Sequence, residues 1–196
     1  MVDVKNLIIS LSISILVIVA LKLIGKFSGR ELLTRKIAHV STAGIYYIYS
    51  LFMSVPTLVI MLSVLITILL MLRRVSPILG LQTEKQNYRE IYYLLALVLY
   101  SFAAEDSFML IMFLVILAIP DTVLGLLREL DKSYNTILIN LVSLVMYVVL
   151  CLVLYWERPL LGIFLGILLS FVERHSTRGL DNITVPTTLS LIAFLT

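Results

Sequence analysis

The chain has 196 residues, of which 61% are hydrophobic and only 14% are charged, whereas an ordinary soluble domain is about 25% charged. A mean hydropathy of +1.08 excludes a water-soluble globule, and it also excludes a disordered chain, because disorder requires low hydrophobicity. The apolar stretches are long and lack the alternation of a transmembrane β-barrel, so the composition predicts a polytopic helical membrane protein. The single cysteine, Cys151, excludes disulfide frameworks and cysteine-based zinc sites.

Eight apolar runs along the chain predict the elements of the fold. They lie at residues 7–24, 37–54, 56–72, 90–104, 107–127, 137–156, 159–173 and 185–196. Since a helix needs about 20 residues to cross the hydrocarbon core, the runs predict an all-α bundle of seven to eight transmembrane or partly spanning helices. The last run has 12 residues, about 18 Å of helix, which predicts a partial or re-entrant helix. No linker or repeat divides the chain, so residues 1–196 are predicted to form one domain.

The loops between these runs alternate in basic charge. Thirteen of the 15 Lys and Arg residues lie on one side, in or beside the loops 25–36, 73–89, 128–136 and 174–184. By the positive-inside rule that side is cytoplasmic and the N-terminus is outside, in a protein of the cell membrane. The sequence pI of about 9.0 does not indicate nucleic acid, because the charge is spread over short loops that are expected to contact anionic membrane lipids.

Asp121 is the most informative residue because it interrupts the apolar run 107–127. An ionised carboxylate in the middle of a span costs at least about 2.5–3.5 kcal/mol, so it is expected to face a cavity or a partner, such as an Arg of another helix. At about 100° per residue, Asp121, Gly125 and Arg128 share one helix face, which Lys132 joins if the helix continues. A carboxylate, a gap left by glycine and two cations predict a strip that binds a metal ion and phosphate.

A second polar group stands at the cytoplasmic start of the second run. Arg35 and His39 are four residues apart and share a helix face, and Lys36 lies close to it. Basic residues at such a helix end are usually anchors that reach the lipid surface. His39 lies one turn deeper, and the alternative to a functional role for it is a packed, hydrogen-bonded imidazole. A third group is Arg89 with Glu90, where Glu90 is able simply to complement its helix N-terminus.

The fourth group lies between the last two apolar runs, where Glu173 precedes Asp181, Asn182 and Thr184. Thr184 is predicted to be the N-cap of the last helix, with Pro186 in the first turn behind it. A helix N-terminus at this point would favour anions. All four groups are predicted to lie at or just below the cytoplasmic face, and this convergence indicates a binding site more strongly than any one group.

Several of these residues form motifs that resemble those of the polyprenol kinase family, which includes phytol, farnesol, geranylgeraniol and dolichol kinases. Arg35-Lys36-Ile-Ala-His39 resembles the R-K-x-x-H signature of that family, and Glu90-Ile-Tyr-Tyr93 is similar to its G-E-x-Y-Y segment. Glu173 followed by Leu180-Asp-Asn-Ile-Thr-Val-Pro186 resembles the C-terminal E…D-N-L-T-V-P. Asp121 stands at the family's G-D-x-x-A position with Pro120 in place of the glycine, and Lys132-Ser133 resembles its K-S pair. The resemblance runs from about residue 30 to residue 190.

The resemblance implies an integral membrane kinase that transfers the terminal phosphate of CTP, or of ATP, to the hydroxyl of an isoprenoid alcohol, with Mg²⁺ or another divalent cation. It implies catalytic roles for Asp121, His39 and Asp181, and metal ligation by Asp121, Glu173 and Asp181. The implied nucleotide and phosphate ligands are Arg35, Lys36, Arg128, Lys132, Ser133, Asn182 and Thr184, with Glu90 in support. No P-loop and no Rossmann glycine motif is present in the sequence.

Two other functions remain open at this point. A CTP-dependent cytidylyltransferase that makes a CDP-lipid needs the same metal, nucleotide and lipid, but it releases pyrophosphate rather than CDP. A non-catalytic transporter or lipid-binding protein would use Asp121 beside Pro120 as a midplane site in a broken helix, although the sequence has no internal repeat. Polar groups that converge on one pocket favour an enzyme, whereas groups that line a path through the bilayer favour a transporter.

Overall fold

The computed structural model describes the backbone at residues 4–28, 31–75, 88–130, 136–176 and 180–196, and within helices it leaves the side chains of 18, 21–28, 31–35, 73, 75, 89 and 128–130 undescribed. Over the described ranges the chain is entirely helical, with eight α-helices and no strand. The helices are α1 Val4–Ser28, α2 Glu31–Ser50, α3 Val55–Val75, α4 Arg89–Ala103, α5 Ser107–Leu130, α6 Thr136–Leu154, α7 Pro159–His175 and α8 Asp181–Leu195. Each predicted apolar run corresponds to one of these helices.

The start of α8 differs from the sequence prediction. The helix begins at Asp181, with Leu180 as its N-cap residue, so the predicted cap at Thr184 is wrong. The amides of Ile183 and Thr184 donate to the Leu180 carbonyl at 2.9 and 2.8 Å, and the Thr184 hydroxyl donates to the same oxygen at 3.0 Å. The acidic Asp181 in the first turn favours this earlier start, which leaves Pro186 inside the helix.

Helices α6 and α7 pack closely because two glycines of α7 face the α6 backbone. A Cβ added at Gly162 would lie 2.8 Å from the Cys151 carbonyl oxygen, and one added at Gly166 would lie 2.7 Å from the Val148 amide nitrogen. Glycines four residues apart form the small-xxx-small pattern that lets helix backbones approach within a membrane. The pattern fixes the α6–α7 hairpin and hence the position of the polar residues at its ends.

Helix α5 lies at the centre of the bundle. Half of its apolar segment Ser107–Leu127 is buried, compared with 28% for Val55–Leu72 and 22% for Thr136–Leu154. Phe113 and Leu124 of α5 have no exposed surface, and α5 contacts α2, α4, α6 and α8. A carboxylate on this helix is therefore surrounded by other helices rather than by lipid.

Helix α8 extends from the loop after α7 to the opposite end of the bundle. Arg158, in the turn between α6 and α7, donates to the carbonyl oxygen of Thr196 at 3.1 Å. The 15-residue helix thus runs antiparallel to α7 over most of its length, and it packs most extensively against α4. It is a continuous helix rather than one that turns back.

Three of the described helices are long and apolar enough to cross a membrane, namely Val55–Leu72, Ser107–Leu127 and Thr136–Leu154. Shorter apolar segments lie at Val4–Val17 and Glu90–Ala103. An all-helical chain with several candidate spans agrees with the predicted class of protein. The number of seven to eight spans and the outside N-terminus stay predictions.

We expect Gly166→Ala to destabilise the protein and Gly44→Ala to leave it unchanged or more stable. The added methyl at Gly166 would meet the backbone of Val148, whereas nothing lies within 4 Å of a Cβ at Gly44. Overpacking costs about 1–3 kcal/mol, which corresponds to a fall in Tm of roughly 3–10 °C for a chain of this size. Thermal unfolding of both variants in the same detergent measures the difference, and equal Tm values would contradict the close α6–α7 packing.

Candidate functional site in a buried polar cluster

A buried ion pair joins α2 to α5 at the centre of the site. The Lys36 ammonium lies 2.5 Å from Asp121 Oδ1 and also donates to the Asp121 backbone carbonyl at 2.8 Å. Lys36 is only 4% exposed, and the Asp121 side chain is 19% exposed. Because a buried carboxylate without a partner is very costly, Lys36 is what allows Asp121 to lie inside the bundle.

His39 occupies the second oxygen of the same carboxylate. Its Nδ1 lies 3.2 Å from Asp121 Oδ2, one helical turn beyond Lys36. Lys36 and His39 therefore both contact the Asp121 carboxylate from the same face of α2, as their spacing of three residues allows. Asp121 is held in one orientation and its charge is shared between both partners.

Tyr93 of α4 packs against His39. The sequence analysis assigned no role to Tyr93. The two rings are stacked with centroids 4.6 Å apart and an interplanar angle of 14°. The Tyr93 hydroxyl donates to the His39 backbone carbonyl at 2.7 Å. The only sequence signal was the position of Tyr93 in the Glu90-Ile-Tyr-Tyr93 segment, which indicates a motif but not a contact.

Gly125 has a different role from the one predicted. The gap that its missing side chain leaves was expected to admit a ligand, but a Cβ at this position would collide with Cε of Lys36. The end of the Lys36 side chain packs directly over Gly125 and from there contacts Asp121. The glycine is needed for the α2–α5 ion pair rather than for an open pocket, because any larger residue would displace the lysine.

A second carboxylate lies buried on α7. Glu173 is 7% exposed, and Ser143 of α6 donates to its Oε2 at 3.2 Å. The Ser143 and Ser170 hydroxyls lie 3.3 Å apart and continue the polar contacts between the two helices. Glu173 is thus anchored by the same α6–α7 hairpin that the glycines hold together.

Asp181 and Asn182 are the first two residues of α8, the helix that follows Glu173 and the end of α7. Asn182 is 3% exposed. Burial raises the pKa of the Asp181 carboxyl, and the negative charges of Asp121 and Glu173 raise it further, while the Lys36 ammonium opposes them. Such mutual influence requires the side chains to be near one another. We call this set the polar cluster; it consists of Lys36, His39, Asp121, Glu173, Asp181 and Asn182.

The other predicted site residues lie away from the polar cluster or are not among the described residues. Glu90 is exposed at the start of α4. The Thr184 hydroxyl lies 2.6 Å from the Ser176 hydroxyl, so it closes the turn between α7 and α8. The side chains of Arg35 and Arg128 and the whole of Lys132 and Ser133 lie outside the described residues.

The carboxylates of the polar cluster do not form a ready-made metal site. Among the residues that the structure describes, no three His, Cys, Asp or Glu side chains are placed to hold one metal ion. Asp121 is instead engaged by Lys36 and His39. Metal ligation by Asp121, Glu173 and Asp181 stays a prediction.

We expect Asp121→Leu to be severely destabilising and the double variant Lys36→Met/Asp121→Leu to recover much of the loss. The single change leaves a buried ammonium without its carboxylate, which costs about 3–5 kcal/mol, whereas replacing both members of a buried pair by apolar residues is often neutral. Tm in detergent and the monodisperse fraction after purification measure both effects. A double variant no more stable than the single one would show that Lys36 and Asp121 do not depend on each other.

No protein-family model, no curated protein and no solved structure matches the chain.

Proposed function

We propose that the chain is a membrane lipid kinase, which transfers the terminal phosphate of CTP to the hydroxyl of an isoprenoid alcohol at the cytoplasmic face of the cell membrane. The observation that carries the proposal is the contact of Asp121 with Lys36 and His39. These three residues come from two of the segments that resemble polyprenol kinase motifs, and Asp181 and Asn182 from a third lie in the same cluster. Motif residues from distant parts of the chain are thus neighbours in the fold, which supports the proposal.

The charges of the cluster suit phosphoryl transfer. That reaction depends mainly on positioning the two substrates and on neutralising the charge that builds up on the phosphate oxygens. Lys36 supplies a cation, and Asn182 supplies an amide that is able to orient a ligand. Arg35, Arg128, Lys132, Ser133 and Thr184 remain candidate phosphate ligands on the resemblance alone.

The location of the cluster suits an acceptor that is a lipid. Asp121 lies within the candidate span Ser107–Leu127, towards the end of α5 that Arg128 and Lys132 follow in the sequence. A soluble nucleotide arriving from the basic side and an alcohol within the bilayer would meet at this depth. The surrounding helices have many exposed apolar side chains, such as Ile37, Val40 and Ile119, so a hydrocarbon tail finds apolar surface beside the cluster.

Mg²⁺ or another divalent cation belongs to the proposal only as a companion of the nucleotide. The described carboxylates form no three-ligand metal site, and Mg²⁺ commonly keeps waters and takes substrate phosphates together with one or two carboxylates. Asp181 and Glu173 are the carboxylates of the cluster other than Asp121. They are the candidates to meet a metal-bound nucleotide.

The grouping of the charged residues favours an enzyme over a transporter. Lys36, His39, Asp121, Glu173 and Asp181 are neighbours in one cluster, whereas a transport path would distribute such groups along the depth of the bundle. A cytidylyltransferase would use the same residues, and no contact in the structure favours it over a kinase.

We expect purified protein with CTP, Mg²⁺ and a panel of prenols to form prenyl phosphate. In Asp121→Asn the amide oxygen is still able to accept from Lys36, so this variant is less disruptive than Asp121→Leu, and we expect turnover per monodisperse molecule to fall at least 100-fold. The neutral amide keeps the shape but loses the charge that Lys36 and His39 recognise. Asp106→Asn is the matched control, because Asp106 caps the other end of the same helix through the Met109 amide at 2.7 Å. Full activity of Asp121→Asn, or equal loss in both variants, would contradict the proposed site.

The released product separates the kinase from the alternative enzyme. A kinase converts CTP to CDP and leaves one phosphate on the alcohol, whereas a cytidylyltransferase releases pyrophosphate and leaves CMP on a lipid phosphate. We expect CDP in amounts equal to prenyl phosphate, measured by chromatography with α- and γ-labelled CTP in parallel. Pyrophosphate together with a labelled cytidine lipid would replace the kinase by the cytidylyltransferase.

A further inference from the structure

One ring nitrogen in the polar cluster lacks the partner that its burial requires. His39 is 6% exposed, its Nδ1 faces Asp121 Oδ2 at 3.2 Å, and its Nε2 is buried with no hydrogen-bond partner among the described residues. A buried polar atom left unsatisfied costs about 1–3 kcal/mol. Native proteins rarely keep such an atom unless a water or a ligand satisfies it.

The imidazole is unable to turn away to find another partner. Its Nδ1 is held by Asp121, its face is stacked on Tyr93, and its backbone carbonyl accepts from the Tyr93 hydroxyl. The other unpartnered buried side-chain atoms in the described part of the chain are hydroxyls, in Tyr100, Thr122, Tyr155 and Ser190. A hydroxyl is able to rotate its O–H towards a nearby acceptor, such as a backbone carbonyl. The direction of the His39 Nε2 is fixed, because the ring is held by Asp121 and Tyr93.

The charge on Asp121 decides what Nε2 is able to do. The ammonium of Lys36 at 2.5 Å favours the ionised carboxylate, which only accepts hydrogen bonds. The His39 Nδ1 must then carry the proton, and in the neutral ring Nε2 is an acceptor with its lone pair directed away from Asp121. The cluster thus presents one oriented acceptor that needs a donor of a single hydrogen bond.

We propose that Nε2 of His39 accepts a hydrogen bond from the hydroxyl of the lipid alcohol, and that Asp121 and Tyr93 are positioning residues for this contact. The identity of the ligand as an alcohol rests on the proposed function. A primary alcohol fits because it brings one O–H donor on an apolar chain, and the cluster lies among apolar helices. The His39 side chain as a whole keeps 8% exposure, so part of the ring reaches the surface of the bundle.

The test compares geranylgeraniol with its methyl ether, which has the same chain but no O–H to donate. Binding of each to the purified wild-type protein is measured without nucleotide, by competition with tritiated geranylgeraniol in detergent. We expect the alcohol to bind about tenfold more tightly than the ether, as one hydrogen bond to a buried acceptor allows. Equal affinities, or no binding of either compound, would overturn the proposal.

Two variants separate the two ring nitrogens. His39→Asn keeps an amide near the position of Nδ1 for Asp121 but places nothing at Nε2, so we expect the preference for the alcohol to disappear. His39→Gln carries its amide to the position of Nε2, and we expect it to keep most of the preference. His175→Phe is the control, because His175 is the other histidine of the chain and lies exposed on α7 against Phe171; its preference should equal that of the wild type.

The outcomes distinguish this proposal from the proposed function. If the wild type forms prenyl phosphate but His39→Asn still prefers the alcohol, the contact to Nε2 is wrong and the kinase stands. If the wild type forms no prenyl phosphate but the preference depends on His39, the alcohol site stands and the kinase fails. A buried water that satisfies Nε2 permanently would give affinities independent of His39, which contradicts the proposal.

Discussion

The buried ion pair between Lys36 and Asp121 is the interaction on which the site depends. It allows a carboxylate to lie on the most buried of the three candidate spans, and it fixes α2 against α5 at the point where His39 reaches the same carboxylate. A second requirement follows from it, since Gly125 must lack a side chain for Lys36 to cross α5. The Lys36–Asp121 pair, Gly125 and His39 therefore form one unit in which the position of each residue depends on the others.

The rest of the fold brings further polar groups to this unit. The glycines of α7 let that helix approach the α6 backbone, which sets Glu173 against Ser143. Helix α8 starts early enough to include Asp181 and Asn182 in its first turn. The helical backbone therefore sets the direction of both side chains, which a loop would leave variable. The apolar helices thus act as a frame, and the few charges inside it are held by backbone packing as much as by one another.

Much of the architecture was predictable from the sequence, because apolar runs of helical length and costly charges within them leave few alternatives. The failures occurred where a local pattern had two solutions. Thr184 and Pro186 have the composition of a helix start, but Asp181 offers an earlier start that also buries Asn182. Gly125 fits an open pocket and a close packing contact equally well, since both need the absence of a side chain.

The sequence by itself determined that the described ranges are all-helical, roughly where their eight helices lie, and that Asp121 needs a partner, because hydropathy and the cost of a buried charge act locally along the chain. Only the tertiary structure decided that the partner is Lys36, 85 residues away, that His39 shares it, and that Tyr93 stacks on His39. These pairings depend on how α2, α4 and α5 rotate against one another. That rotation is set by the packing of the apolar side chains and glycines of all the helices together, which no single segment encodes.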